Sequence, residues 1–227
     1  MQQHYVIRTL RMMTGLFVFA VGIVMTIHAN IGLAPWDVFH QGLANVLGIT
    51  MGQASILVGL TVVAIDFFAG ERIGWGTLGN MVLIGLFIDF LMLNGLVPQM
   101  QHFVTGVLQM IAGLFVIGLA SVLYIGAGMG CGPRDGLMVA LLKRTGRSVG
   151  TIRGLLEGAA LAGGWLLGGT VGLGTVITAV LTGPVVQLAF RLLRFDVKKV
   201  RHTYVDEDLK ALGRLLKKSS THENSKH

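Results

Sequence analysis

The sequence predicts an all-α polytopic membrane protein with six transmembrane helices in a 3+3 inverted-topology repeat. Each half carries one short re-entrant or interfacial helix. The chain of 227 residues is 53% hydrophobic and only 13% charged, about half the charge of an ordinary soluble domain. Its charges are clustered, which leaves long apolar windows and a mean hydropathy of +0.71. A third observation is that GLAPWD, residues 32–37, returns as GCGPRD, residues 130–135.

Six apolar stretches are long enough to span a bilayer, which takes roughly 17–25 residues as a helix. They are Leu10–Ala29, Gly52–Ala69, Gly76–Leu96, Val104–Ala127, Gly150–Leu167 and Gly174–Leu193. No small-residue cleavage site follows the first stretch, so we interpret it as a retained helix rather than a signal peptide.

Two shorter segments, Pro35–Leu47 and Pro133–Thr145, each open with proline, which suits the first turn of a helix. As helices they would be roughly 20 Å long, shorter than the ~30 Å hydrocarbon core. We therefore predict re-entrant or interfacial helices. The alternative, eight crossings, would place Arg72 and Arg134 on the outer face.

Basic residues indicate the orientation. With six spans, all 18 lysines and arginines fall on the side of the N-terminus. Because basic loops stay in the cytoplasm, we expect both termini there, in a bacterial cytoplasmic (inner) membrane. We assign residues 1–196 to the transmembrane domain and 197–227 to a basic tail with a short amphipathic helix over 206–218. The net charge of +7 favours anionic lipid at the cytoplasmic face as a partner over nucleic acid.

An internal repeat explains why the motif occurs twice. Residues 10–85 and 108–183 align without a gap at a spacing of 98, with 24 identities over 76 positions. Repeat one covers about 8–96 and repeat two about 104–194. Three spans per half is an odd number, so the second half would enter the membrane from the opposite face. Such inverted repeats are typical of transporters, which bind substrate between the halves.

The repeated motif is Gly-x-x-Pro-x-Asp. Its structural residues are Gly32, Pro35, Gly130 and Pro133. The structural interpretation is a glycine turn followed by a helix that begins at proline. Asp37 and Asp135 then lie in the first helical turn, where the helix dipole favours a carboxylate. The alternative makes these aspartates a symmetric pair of gating or cation-binding groups.

These motifs resemble the YczE/YyaS/YitT family of bacterial integral membrane proteins, in its YczE-like branch. The resemblance covers about residues 8–194. It is carried by IGLAPWDVF (31–39) and MGCGPRDGL (129–137), with ITMGQ, RSVGT, GWGTL and GLGTV in support. It implies six spans and an inner-membrane location, and it says little about substrate.

Ionisable groups at membrane depth are costly and mark functional candidates. Asp89 lies deep in the third predicted span, and Glu157 lies two turns into the fifth. Arg153, four residues before Glu157, shares its helix face, so a structural ion pair is favoured and a coupled switch is the alternative. His40 follows Asp37 by three residues. It is interpreted as an exposed interfacial histidine or as a pH-responsive gate.

Two further residues have interfacial interpretations. Asp66 is placed near the inner end of the second span, within reach of water. Trp36 is placed at a span end, where interfacial aromatic residues gather.

The sequence favours a small transporter or permease of a small or amphipathic solute, coupled to protons or another ion. The alternative is a non-transporting accessory that scaffolds or regulates a partner enzyme through its basic face. Catalytic and phosphate-binding motifs are missing from the sequence, so we expect no enzyme, no cofactor and no metal site. A homodimer is compatible with the size.

Overall fold

A computed structural model describes residues 2–200 and 202–206. Within them the chain is all-helical, with eight α-helices, a short 3-10 turn and no strand. The elements are α1 Gln2–His28, α2 Pro35–Leu47, α3 Met51–Ala69, α4 Trp75–Leu93, α5 Phe103–Gly126, α6 Pro133–Thr145, α7 Val149–Leu166, α8 Leu173–Leu192 and the 3-10 turn Val197–Lys199.

The two short helices, α2 and α6, have the bounds that the sequence predicts. Each begins at its proline, whose missing N–H would have had no partner in the first turn. Each ends at a glycine with left-handed backbone, Gly48 with φ 66° and Gly146 with φ 65°. The motif glycines Gly32 and Gly130 have positive φ, 114° and 117°, so the glycine turn and the helix start of the structural interpretation are confirmed.

Five of the described helices are long and apolar enough to cross a membrane: α1 from Tyr5 onward, α3, α4, α5 and α8. The chain is thus a multi-pass membrane protein. The sixth predicted span, 150–167, is a helix here, α7, but it is not among the five. It carries Arg153, Glu157 and five glycines, which lower its hydropathy. Its crossing of the bilayer stays a prediction.

Large apolar side chains on the surface indicate contact with lipid. Phe68 is 83% exposed, Leu166 80% and Leu93 76%. Water penalises such exposure, at about 25 cal/mol per Å² of apolar area, and lipid tails do not. The helices therefore pack a small interior and present apolar sides to the bilayer.

Helices α1 and α5 form the antiparallel centre of the bundle. A methyl group added at Gly22 would lie 2.9 Å from the carbonyl oxygen of Gly113, and one added at Gly113 would lie equally close to that of Gly22. The end of α5 at Gly126 contacts Arg11, near the start of α1. Since each motif follows the end of one of these helices, the two motifs lie at opposite ends of the pair. We call these the first-motif end and the second-motif end.

Each motif is bound by the glycine-rich start of a helix from the other half of the chain. The N–H of Gly174, in α8, donates to the carbonyl of Ile31 at 2.7 Å. The N–H of Gly76, in α4, donates to the carbonyl of Met129 at 2.5 Å. These bonds satisfy backbone groups that would otherwise be costly to bury in an apolar environment.

Residues 202–206, here called the C-terminal strap, cross the second-motif end. The N–H of Thr203 donates to Gly128 at 2.9 Å, and that of Val205 donates to Ile73 at 3.0 Å. The side chain of Arg8 bonds the carbonyl of Gly128 at 2.6 Å and the hydroxyl of Thr203 at 3.0 Å. The strap thus ties α1, the α3–α4 loop and the α5–α6 loop together. The predicted amphipathic helix of the tail, beyond residue 206, lies outside the described residues.

Gly32→Ala is expected to destabilise the protein more than Gly48→Ala. Both glycines have left-handed backbone, which costs an L-residue roughly 1–2 kcal/mol. A methyl group at Gly48 meets nothing within 4 Å, whereas at Gly32 it would lie 2.7 Å from the Cα of Gly172. Overpacking adds about 1–3 kcal/mol. Thermal unfolding in detergent measures the difference. Equal decreases in Tm would contradict the close packing of Gly32 on Gly172.

The free energy of unfolding is expected to decrease when the pH is lowered past about 6.5, because of His202. Its Nδ1 accepts the N–H of Gly130 at 3.3 Å, which only an unprotonated nitrogen can do. Burial, and then the charge of Arg8, lower the pKa of His202 below 6.5. A lowered pKa in the folded state gives stability that is complete above 6.5 and is lost as pH falls through the folded value.

The measurement is Tm against pH for the wild type and for His202→Asn, whose side-chain oxygen can accept the same bond without titrating. We expect the wild-type curve to drop below the variant's curve under pH 6.5. Parallel curves would show that the strap does not sense protonation of this histidine.

Candidate functional site

A cavity of about 470 Å³ lies at the centre of the bundle, and all eight helices contribute side chains to its wall. This volume is in the range of small-molecule sites. Its polar and charged lining comprises Asp37, His40, Ser55, Asn80, Ser121, Tyr124, Arg134, Asp135, Arg153, Glu157, Thr182 and Gln187. Five of the six predicted pathway residues are therefore brought together here, and Asp89 is not.

Two residues at the same position of the two motifs meet in the cavity. The guanidinium carbon of Arg134 lies 4.6 Å from the ring centroid of Trp36, a cation–π geometry. Trp36 therefore faces the interior, and its interfacial interpretation was wrong. The signal that could have found this pair is positional, because Trp36 and Arg134 are 98 residues apart and occupy the variable position of Gly-x-x-Pro-x-Asp.

A polar chain leads from Arg134 into α2. Its guanidinium lies 3.4 Å from Nε2 of His40. Because arginine only donates hydrogen bonds, Nε2 accepts and the ring hydrogen belongs on Nδ1, which lies 3.4 Å from a carboxylate oxygen of Asp37. His40 is only 2% exposed, so its interpretation as an exposed interfacial histidine was wrong. Asp37 is also buried, although it lines the cavity.

Helix α7 supplies an ion pair to the cavity wall. Nε of Arg153 donates to a carboxylate oxygen of Glu157 at 2.9 Å, as the four-residue spacing predicts. Asp135 lines the same cavity from α6. No cation lies within 4.0 Å of its carboxylate among the described residues.

Asp89 joins two helices at the first-motif end instead of lining the cavity. Its carboxylate accepts the hydroxyl of Thr50 at 2.5 Å and the N–H of Gly52 at 2.8 Å. These groups form the start of α3, where unpaired N–H donors and the helix dipole favour an anion. Asp89 thus fastens the second half of α4 to the first turn of α3, an arrangement we call the Asp89 clasp.

The clasp sits beside a close backbone crossing of α3 and α4. A methyl group added at Gly85 would lie 2.5 Å from the carbonyl oxygen of Gly52. The residues 98 positions later, Gly150 of α7 and Gly183 of α8, meet nothing within 4 Å. Helix α7 instead packs on α2 and α6. A gap therefore separates α7 from α8 at the second-motif end, and residues of both helices line the cavity there.

Asp66 is buried, 2% exposed, where α3 packs on Gly136 of α6. One of its carboxylate oxygens has no hydrogen-bond partner among the described residues. Its interpretation as a residue that reaches the interface was wrong. The described residues contain no group of three or more histidine, cysteine or acidic side chains placed to hold a metal ion.

These features define a multi-pass α-helical membrane protein with a charged internal cavity. The chain belongs to the YczE-like family of membrane proteins, because residues 6–191 match the model of the family of unknown function DUF6198. It is 37% identical over 205 residues to the "Uncharacterized membrane protein YczE" of Bacillus subtilis, covering 88% of this chain and 94% of that protein. The predicted family is confirmed.

Two further relatives support the same membership. An "Uncharacterized protein" of Haemophilus influenzae is 34% identical over 178 residues, covering 78% of this chain and 81% of that one. The "Uncharacterized protein YyaS" of Bacillus subtilis is 23% identical over 200 residues, covering 84% and 96%. No solved structure matches the chain.

Asp89→Ala is expected to reduce the free energy of unfolding by about 2–4 kcal/mol, because it leaves a hydroxyl and an N–H without their charged acceptor. Gln187→Ala, at the position 98 residues later, is the matched control. Its side chain faces the cavity, and we expect a loss below about 1 kcal/mol. The free energy of unfolding of both variants is measured by denaturation in micelles. Equal decreases in the two variants would mean that the clasp contributes little to stability.

Proposed function

We propose that the protein is a six-span carrier with a 3+3 inverted repeat that moves a small solute by alternating access, coupled to a proton or another ion. One observation carries the proposal. The helix pair α3–α4 is closed on itself, while the pair α7–α8, at the corresponding positions of the second repeat, stands apart beside the central cavity.

The inverted repeat is supported by the pattern of helix packing. Exchanging each helix of the first repeat with its counterpart turns α1–α4 into α5–α8, α2–α7 into α3–α6 and α2–α3 into α6–α7. Both members of each of these exchanged pairs are in contact. The reciprocal bonds to Ile31 and Met129 follow the same exchange, and the motifs lie at opposite ends of α1 and α5. The exception is α3–α4, whose counterpart is the gap.

A carrier needs one end of its cavity closed while the other is accessible. The Asp89 clasp and the glycine crossing close the first-motif end. The gap between α7 and α8 lies at the second-motif end, which we expect in the cytoplasm together with both termini because the basic residues gather there. In the proposed mechanism this arrangement corresponds to the inward-facing state, with Arg153 and Glu157 along the opening.

The alternate state follows from the repeat. Gly150 would pack on Gly183 as Gly52 packs on Gly85, and Ser148 and Gly150 would be held by Gln187 as Thr50 and Gly52 are held by Asp89. The Asp89 clasp would then open. An amide in place of the carboxylate gives a weaker hold, which explains why the α7–α8 side is the open one.

Disulfide trapping tests the exchange. In a Cys131→Ser background, Gly150→Cys and Gly183→Cys have room for their side chains. We expect an oxidant to join them slowly and to trap the closed pair, while each single variant stays uncrosslinked. Asn45→Cys with Gly168→Cys is the control pair: these positions are already close, because the side chain of Asn45 bonds the carbonyl of Gly168 at 3.2 Å, and this pair should crosslink faster than the first. Failure of the first pair when the second succeeds would contradict the exchange.

Transport itself is tested in proteoliposomes with a panel of small solutes under an imposed pH gradient. We expect uptake that saturates, that stops when the Gly150→Cys, Gly183→Cys pair is oxidised, and that loses its response to the gradient in Glu157→Gln. Uptake equal to that of empty vesicles for every solute would end the carrier proposal.

The accessory alternative is favoured by one observation, the exposed basic residues Arg144 and Arg147 at the second-motif end. A scaffold that holds a partner enzyme there should fail in Arg144→Gln with Arg147→Gln and survive Glu157→Gln. A carrier should show the opposite pattern, so the two sets of variants separate the functions in cells that lack the native protein.

A further inference from the structure

The charges of the cavity do not all pair with one another. Five formally charged side chains line it: Asp37, Arg134, Asp135, Arg153 and Glu157. The last two neutralise each other at 2.9 Å. Asp37 also lines the cavity, but it is buried and its carboxylate lies 3.4 Å from Nδ1 of His40. Arg134 and Asp135 remain, both with exposed surface although they line an internal cavity.

Arg134 is held in a way that leaves its donors available. Trp36 covers its planar group at 4.6 Å, and its one hydrogen-bond partner among the described residues is His40, at a long 3.4 Å. No carboxylate lies within 4.0 Å of it among those residues. A guanidinium offers five N–H donors in a fork that matches an oxyanion. A carboxylate or similar group would supply the missing acceptors.

Asp135 has the opposite requirement. Its carboxylate lacks a cation within 4.0 Å among the described residues, and Asn80 and Tyr124 line the same cavity. Because Asp135 has exposed surface inside the cavity, the ammonium of a solute can reach it and form a charge-assisted hydrogen bond, which is about twice as strong as a neutral one. A ligand with only a negative charge would pair with Arg134 and leave Asp135 without a cation.

We propose that the cavity binds a small zwitterion, with its oxyanion on Arg134 and its ammonium on Asp135. The proposal names the substrate class of the carrier proposed above and so rests on that function, but binding is measured without transport. The volume of about 470 Å³ accommodates a solute the size of an amino acid.

Tryptophan fluorescence of the full chain in micelles provides the test. Trp75→Phe with Trp165→Phe leaves Trp36, in contact with Arg134, as the single tryptophan. The probes are amino carboxylates from glycine to γ-aminobutyrate, each with its matched carboxylate and matched alkylamine. We expect a saturable change in emission with at least one zwitterion. Its two singly charged counterparts should bind at least about tenfold more weakly, because each loses one charge-assisted contact.

Variants assign the two ends of the ligand. Arg134→Gln and Asp135→Asn should each weaken binding at least about tenfold, while Arg147→Gln, an exposed surface arginine, should leave it unchanged. Arg134→Lys keeps the charge but loses the fork, so we expect an intermediate affinity. If Arg134→Gln does not yield a monodisperse protein, the lysine variant decides.

Equal affinity for a zwitterion and its matched carboxylate would overturn the proposal, as would saturation by no probe or binding that ignores Asp135→Asn. Failure of the carrier looks different. A zwitterion that binds through Arg134 and Asp135 but is not moved across proteoliposomes would support this site and end the transport proposal. If another solute is taken up and its uptake is unchanged in Arg134→Lys, the transport proposal is supported and the zwitterion site is ruled out.

Discussion

The architecture depends on two backbone hydrogen bonds, from Gly174 to Ile31 and from Gly76 to Met129. Each requires two backbone segments to approach without side chains between them, and glycine at 32, 130, 74 and 172 permits that approach. In an apolar environment no water is present to hydrogen-bond these backbone groups in place of each other. Breaking either bond would therefore leave its donor and acceptor unsatisfied. They fix the positions in the bundle of the segments that lead into α2 and α6, and hence where Trp36 and Arg134 meet.

The charged cavity follows from that placement. The starts of α2 and α6 bring Arg134, Asp135 and Asp37 into the interior, where charges are tolerated only with partners or in a water-filled space. Arg153 and Glu157 of α7 satisfy each other across one turn. The low hydropathy of α7 and the gap beside α8 therefore belong to one feature, a helix whose polar face borders the cavity instead of lipid.

Local signals were readable from the sequence, and contacts between distant residues were not. Proline at the start and glycine at the end set the bounds of α2 and α6 to the residue, because both act within one turn. The Arg153–Glu157 pair is local too. Asp89 was assigned to a pathway because its partners, Thr50 and Gly52, lie almost forty residues away. Trp36 was placed at the interface because nothing near it in sequence shows that Arg134 covers its ring. The repeat spacing was the sole clue to that pair.

The strap also bears on biogenesis. Arg8 bonds Thr203, which is synthesised 195 residues later. Closing a loop of this length costs conformational entropy. The contact can form only after Thr203 has been synthesised, when the helices are already inserted. Until Thr203 is synthesised, the carbonyl of Gly128 lacks the bond from the Thr203 N–H, so the α5–α6 loop gains its full set of contacts only after α8 has been made.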